Sequence, residues 1–132
     1  MNHFKLKIIY FIILLLITWS SSKGQILIGD QIKGENIEDR FGSSVAINLD
    51  GSRIVVGSPG LSTNDNKNGY VDVYNYVGEN WASMGKTIDS PISDARFGSS
   101  VSISKTGNRI GIGGKFGDIG GIVEIYDYKN NS

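Results

Sequence analysis

The sequence predicts an all-β chain, two four-stranded antiparallel, blade-like repeats behind an N-terminal leader. Three observations predict it. Eighteen glycines against two prolines, with Val, Ile, Tyr and Phe supplying much of a 39% hydrophobic content, suit short strands joined by tight turns. A long segment of the first half returns in the second half at a fixed offset of about 56 residues. Between the glycines, apolar and polar side chains alternate with the two-residue period of a strand.

The leader comes first in the chain. Met1 to Lys7 carries two lysines and precedes the apolar run Ile8 to Ile17, a charged n-region before an h-region. Cutting after Gly24 would leave small residues at −1 and −3 (Gly24, Ser22) and begin the mature chain at Gln25, so residues 1–24 are expected to be a signal peptide and the protein to be secreted or held at the cell surface. The rival reading is a retained anchor, but Leu6 to Trp19 falls short of the ~20 residues that span a bilayer, and no membrane span is expected after cleavage. There is no cysteine, so stability must come from packing and backbone pairing even in an oxidising compartment. Thirteen basic residues less Lys5, Lys7 and Lys23 of the leader leave ten against thirteen acidic, a net charge of −3. Nucleic-acid binding, which needs a basic surface, is not expected.

The repeat sets the organisation. Arg40-Phe41-Gly42-Ser43-Ser44-Val45-Ala46-Ile47 returns as Arg96-Phe97-Gly98-Ser99-Ser100-Val101-Ser102-Ile103. Over 40–57 against 96–113, eleven of eighteen residues are identical. The same offset pairs Gly29 with Gly85 and Ile32 with Ile88, while Gly69 to Tyr76 aligns with Gly121 to Tyr128 after a four-residue deletion in a loop, where length change is cheapest. Repeat one is therefore set at 25–80 and repeat two at 81–132.

Each copy is read as four extended segments, in copy one roughly Ile26 to Ile32, Ser43 to Asn48, Arg53 to Gly57 and Tyr70 to Val77. Leu49-Asp50-Gly51-Ser52 predicts a hairpin with a type I′ turn; Lys105-Thr106-Gly107-Asn108 keeps the glycine. In Tyr70 to Tyr76 the valines take one face and Tyr70, Asp72, Tyr74 and Tyr76 the other. Neither face is wholly polar, which suits a sheet sandwiched between neighbours, as the blades of a β-propeller are.

Phe41-Gly42 followed by Gly57-Ser58-Pro59, with a strand-turn-strand between, resembles the FG-GAP repeat of integrin-α-type propellers, and Phe97-Gly98 with Gly113-Gly114 repeats it less well. The wider unit is similar to tandem repeats of large secreted surface proteins in gliding and other Bacteroidetes-type bacteria. The resemblance covers nearly all of residues 25–128 and implies a partial propeller with an extracellular interaction or adhesion role.

Integrin-type repeats often carry calcium in an Asp-rich loop between the two elements. Here only Asp50 lies between them in copy one, and copy two has no carboxylate there, too few oxygens for that ion. A second place is Asn64, Asn66, Asn68 and Asp72, which keep the spacing of a D-x-D-x-D-G-x-x-D loop with asparagines replacing three aspartates. The carboxamides keep oxygens and lose charge, and the reading preferred is a flexible Asn/Gly-rich hairpin loop. No cofactor is expected beyond this weak calcium candidate.

Catalytic chemistry finds little support. The only histidine is His3 in the leader, so the mature chain offers no His-based triad, no thiol nucleophile and no His/Cys metal site. The repeated serine pairs Ser43-Ser44 and Ser99-Ser100 have no neighbouring base and read as strand starts. Glu38, Asp39 and Asp94 read as solvated turn residues, and the glycine-rich Gly111 to Gly121 stretch lacks the helix and lysine of a phosphate cradle. No enzyme is expected.

Arg40/Arg96 and Arg53/Arg109 recur at the same point of each copy, so they are assigned to the blade itself, as are Tyr74/Tyr126 and Tyr76/Tyr128. Trp81 has no counterpart near Gln25 and reads either as packing at a junction or as an exposed sugar-stacking ring. Propellers close with roughly four to eight blades, and two leave open edges that recruit other strands. The expected partners are thus a protein or glycan at the cell surface, further copies of the chain, or a larger propeller. Two functions are carried forward: a structural or adhesive surface module, and a small lectin-like protein whose two-blade chains close a ring.

Overall fold

A computed structural model of the chain describes residue 3 and residues 24–60, 68–116 and 120–129. Residues 4–23, which hold the apolar run, and Asn64 and Asn66 lie outside the described residues. Among the described residues no helix is long and apolar enough to cross a membrane.

The chain is all-β. After a single 3-10 turn at Ile37–Asp39, the strands are β1 (Ser44–Ile47), β2 (Arg53–Ser58), β3 (Tyr70–Val77), β4 (Asn80–Ser83), β5 (Ile88–Asp89), β6 (Ser100–Ile103), β7 (Arg109–Phe116) and β8 (Gly120–Asp127). They form two antiparallel sheets, β1-β2-β3-β4 with β5 also on β3, and β6-β7-β8; neither closes on itself. The two copies use one register. Ser44 faces Gly57 and Ile54 faces Tyr74 in the first sheet; Ser100 faces Gly113 and Ile110 faces Tyr126 in the second. Matching sequence thus yields matching pairing, with inward and outward side chains fixed by the pleat.

Three expectations are corrected. The segment Ile26 to Ile32 is not a strand, and the fourth strand of the first sheet is β4 instead, folded back on β3 by the tight turn at Gly78-Glu79, where both residues have positive φ. Residues 81–89, assigned from sequence to the second copy, pair through β4 and β5 with the first sheet, leaving three strands in the second. The β1–β2 connection is not a type I′ turn, because Gly51 is the one residue of it with positive φ. Asp50 Oδ1 instead accepts from Ser52 N (2.9 Å) and Ser52 Oγ (2.6 Å), and Gly51 N donates to Asn48 O, giving a four-residue loop.

The Arg-Phe-Gly-Ser turn repeats in detail. Arg40 and Arg96 both adopt left-handed φ, as do Gly42 and Gly98, and each arginine carbonyl accepts the backbone N and the Oγ of the serine three residues on, Ser43 and Ser99. The first serine of each pair therefore closes the turn while the second begins or borders the strand.

The sheets pack face to face with β6 against β1 and β2. Val55, Val71 and the partly buried Val73 come from what we call the back of the first sheet; Ile110, Ile112, Val101, Ile103 and Ile122 come from the front of the second, and Phe97 seals the joint. Full burial of side chains of this size contributes about 1.5–3 kcal/mol each. Backbone contact at the joint is close. Ser44 Oγ donates to Gly98 O at 2.7 Å, Phe97 N donates to Asn68 O at 2.9 Å, and Gly69 and Phe97 form a parallel bridge. A Cβ on Gly57 would lie 2.1 Å from Gly98 O, so this approach requires glycine.

Candidate functional site

The front of the first sheet carries a cleft of about 680 Å³ under the Lys33–Phe41 segment. Its floor is built from the tyrosine face of β3, which places Tyr70, Asp72 and Tyr74 on one side by strand alternation. Its wall is the loop with Asn36 and the 3-10 turn, and its rim includes Thr87 and Asp89 beside β3. Gly34 sits where a Cβ would be 2.4 Å from Phe41 Cβ, so the segment closes over Phe41 only because residue 34 is glycine. Phe41 meets Tyr74 edge-on at 6.4 Å.

The polar groups of the cleft are linked. Asp39, buried, accepts from Asn36 Nδ2 at 3.0 Å and from the Tyr70 hydroxyl at 3.3 Å, and Asp72 accepts from Thr87 Oγ1 at 2.7 Å. Among the described lining residues, Glu35, Asp39, Asp72 and Asp89 stand against one cation, Lys33, an acidic balance. Burial, and then the Asp72 carboxylate, push the Tyr74 phenol up to about 12; burial is also the main cause that raises Tyr70. Both phenols therefore remain protonated donors at neutral pH. Rings for stacking, carboxylates as acceptors and protonated phenols can hold a polyhydroxylated or cationic ligand. No group of three or more metal-ligating side chains occurs among the described residues.

Of the residues singled out from sequence, Asn68 and Asp72 line the cleft and Trp81 does not. Asn64 and Asn66 lie outside the described residues. Asn68 Oδ1 accepts the backbone N of Asp94 at 3.2 Å, while Asp72 lies on β3 bound to Thr87, so each already serves a local contact. Trp81, on β4, packs against Tyr76 at 5.1 Å and donates from Nε1 to Ile28 O at 3.0 Å, an arrangement that anchors the N-terminal segment.

The cleft escaped the sequence reading, yet a signal was present. Five of its polar residues are ones in which the copies differ: Glu35, Asn36 and Asp39 stand opposite Pro91, Ile92 and Ala95, and Ser58 and Tyr70 opposite Gly114 and Ile122, whereas Asp72 and Tyr74 recur as Glu124 and Tyr126. Residues that serve every repeat alike are structural, whereas the five that differ belong to one copy. The arginines differ too. Arg53 Nε donates to Asn75 Oδ1 and its Nη1 crosses to Gly107 O, both at 2.7 Å, with the guanidinium 5.3 Å from the Tyr128 ring centre. Arg109 makes the equivalent bond to Asp127 at 2.6 Å and is otherwise exposed.

Comparison with family models, with curated proteins and with solved structures finds no match to this chain. The likeness to FG-GAP repeats rests on the motif residues quoted above.

Proposed function

We propose that the protein is an exported, non-catalytic interaction module of the cell surface, its two sheets acting as consecutive blades of a β-propeller. The observation that carries this reading is the repetition of one antiparallel meander in identical register, the second stacked on the first through backbone-close glycines. The charged-apolar leader supports export, and a mature chain without histidine or cysteine supports binding over catalysis. A second reading is favoured by the cleft: a lectin-like protein that holds a sugar between Tyr70, Tyr74 and the carboxylates of Asp72 and Asp89.

The test has two parts. Expressed with its leader, the protein is expected outside the cytoplasm with Gln25 at its N-terminus by mass spectrometry; retention of residues 1–24 in the cytoplasm would refute the surface role. The exported protein is then applied to a glycan array. Surface attachment without a glycan signal supports the structural module, and a discrete glycan signal lost in Tyr74→Ala supports the lectin.

A further inference from the structure

The joint between the two sheets is offered a second time, in two halves, at opposite ends of the molecule. On the front of the first sheet, Val45 and Ile47 are 59% and 58% exposed, whereas their counterparts Val101 and Ile103 are packed into the joint. On the back of the second sheet, Val123 and Ile125 are 75% and 63% exposed, whereas their counterpart Val71 is fully buried and Val73 packs against the core. The backbone contacts follow the same rule. Gly42 and Gly98 share φ +85, but a Cβ on Gly98 would meet the Tyr70 carbonyl at 2.7 Å while one on Gly42 would meet nothing. Arg53 reaches across to the carbonyl of the next hairpin glycine, and Arg109, held in the same way by Asp127, has no such glycine before it among the described residues.

The strand edges complement each other as well. Among the described residues, β3 is covered by β4 and β5, and the corresponding edge of β8 pairs with no strand. The counterpart of residues 80–89 is 24–33. Gly29 and Gly85 coincide in this alignment with φ of +70° and +79°, and Ile26, Leu27 and Ile28 are exposed. Transferring the β3 register, Tyr74 to Ser83 and Val71 to Ile88, sets Leu27 opposite Tyr126 and Ile32 opposite Val123, apolar against apolar.

We propose that the protein self-associates head to tail: the back of the second sheet of one copy receives the front of the first sheet of the next, whose residues 24–33 line β8 as an outer strand. A second copy is the occupant because the surface it presents is the one that already fills this joint inside the chain. The inference rests on the blade reading of the sheets. Such a joint is heterologous, so it closes into a ring when the rotation permits; closure at roughly four to eight blades corresponds to about two to four chains.

The experiment is the solution mass by light scattering of the full chain as the cell processes it, beside Val45→Asp and Val123→Asp, each at an exposed position. The wild type is expected at two to four times the single-chain mass, each variant at one, and an equimolar mixture of the two at two, since each variant keeps the half that the other lacks. Should either variant lose its β-sheet circular dichroism, Ile47→Lys and Ile125→Lys repeat the test at neighbouring exposed positions. A wild type at single-chain mass with an intact β spectrum overturns the inference and leaves the proposed function standing. Dimers abolished by Val123→Asp and untouched by Val45→Asp would reveal symmetric pairing of β8 edges, and overturn both the inference and the blade reading.

Discussion

Two glycines with one backbone conformation make a clean comparison. Gly42 and Gly98 both sit at φ +85, so alanine at either carries the same left-handed penalty of about 1–2 kcal/mol. At Gly98 the added carbon also meets the backbone of Tyr70 and Ser58, which cannot yield. We expect Gly98→Ala to destabilise by about 1–3 kcal/mol more than Gly42→Ala, read from urea midpoints in a Val45→Asp background that holds the chain as single copies. Tyrosines give a second residue-scale test. Tyr74 and Tyr126 are both pushed up to about 12, chiefly by burial, and the Tyr126 hydroxyl also donates to Glu124. Because the folded values lie above the unfolded 10, the protonated phenols favour the fold fully below pH 10, and that contribution is lost as pH rises toward 12. Spectrophotometric titration should show a tyrosinate component near 12 that shrinks in Tyr74→Phe and in Tyr126→Phe, and stability should fall over the same interval.

At the scale of elements, the hairpin between β6 and β7 is held by a residue of the other sheet. Arg53 bonds the Gly107 carbonyl and the Asn108 side chain, while the repeat-equivalent Arg109 bonds within its own sheet at an exposed site. Hydrogen bonds to a charged group contribute about 1.5–3 kcal/mol when partly shielded, and exposed pairs contribute little. Arg53→Ala is therefore expected to lower stability by about 2 kcal/mol and to speed amide exchange in the β6–β7 turn, with Arg109→Ala near wild type in a monomeric background. Equal losses would mean that the cross-sheet bond is not what holds the hairpin. Among the described residues the outer edge of β8 is unpaired, and its sequence has neither proline nor lysine to discourage partners. That edge is where an added strand costs least to accept.

For the whole molecule, the core is shared. Val55 and Val71 come from one sheet and Phe97, Ile110 and Ile112 from the other or its approach, so neither sheet has a buried core of its own. The chain should unfold in one transition, with near- and far-ultraviolet circular dichroism changing together. Phe97→Ala, at a fully buried joint, should remove about 3–5 kcal/mol, a large part of the stability of a domain this size, and disorder both sheets at once. A far-ultraviolet signal that persists after the near-ultraviolet signal is lost would show that one sheet survives by itself.

The sequence by itself determined what is local: the all-β class, the repeat, the strands β1, β2 and β3 with their counterparts, the valine and tyrosine faces of β3, and the places of the turns. Period-two alternation and glycine conformations act within a few residues, so they are written where they act. Only the tertiary structure decided which segment is the fourth strand, for Asn80–Ser83 folds back on β3 while Ile26 to Ile32 pairs with no strand among the described residues. It alone decided that Asp50 would serve an Asx contact instead of a type I′ turn, that Arg53 and Arg109 would part ways, and that Asp39, Tyr70 and Tyr74 would share one cleft. Each of these depends on a neighbour distant in sequence, and a repeat offset records which residues are equivalent without recording what stands beside them.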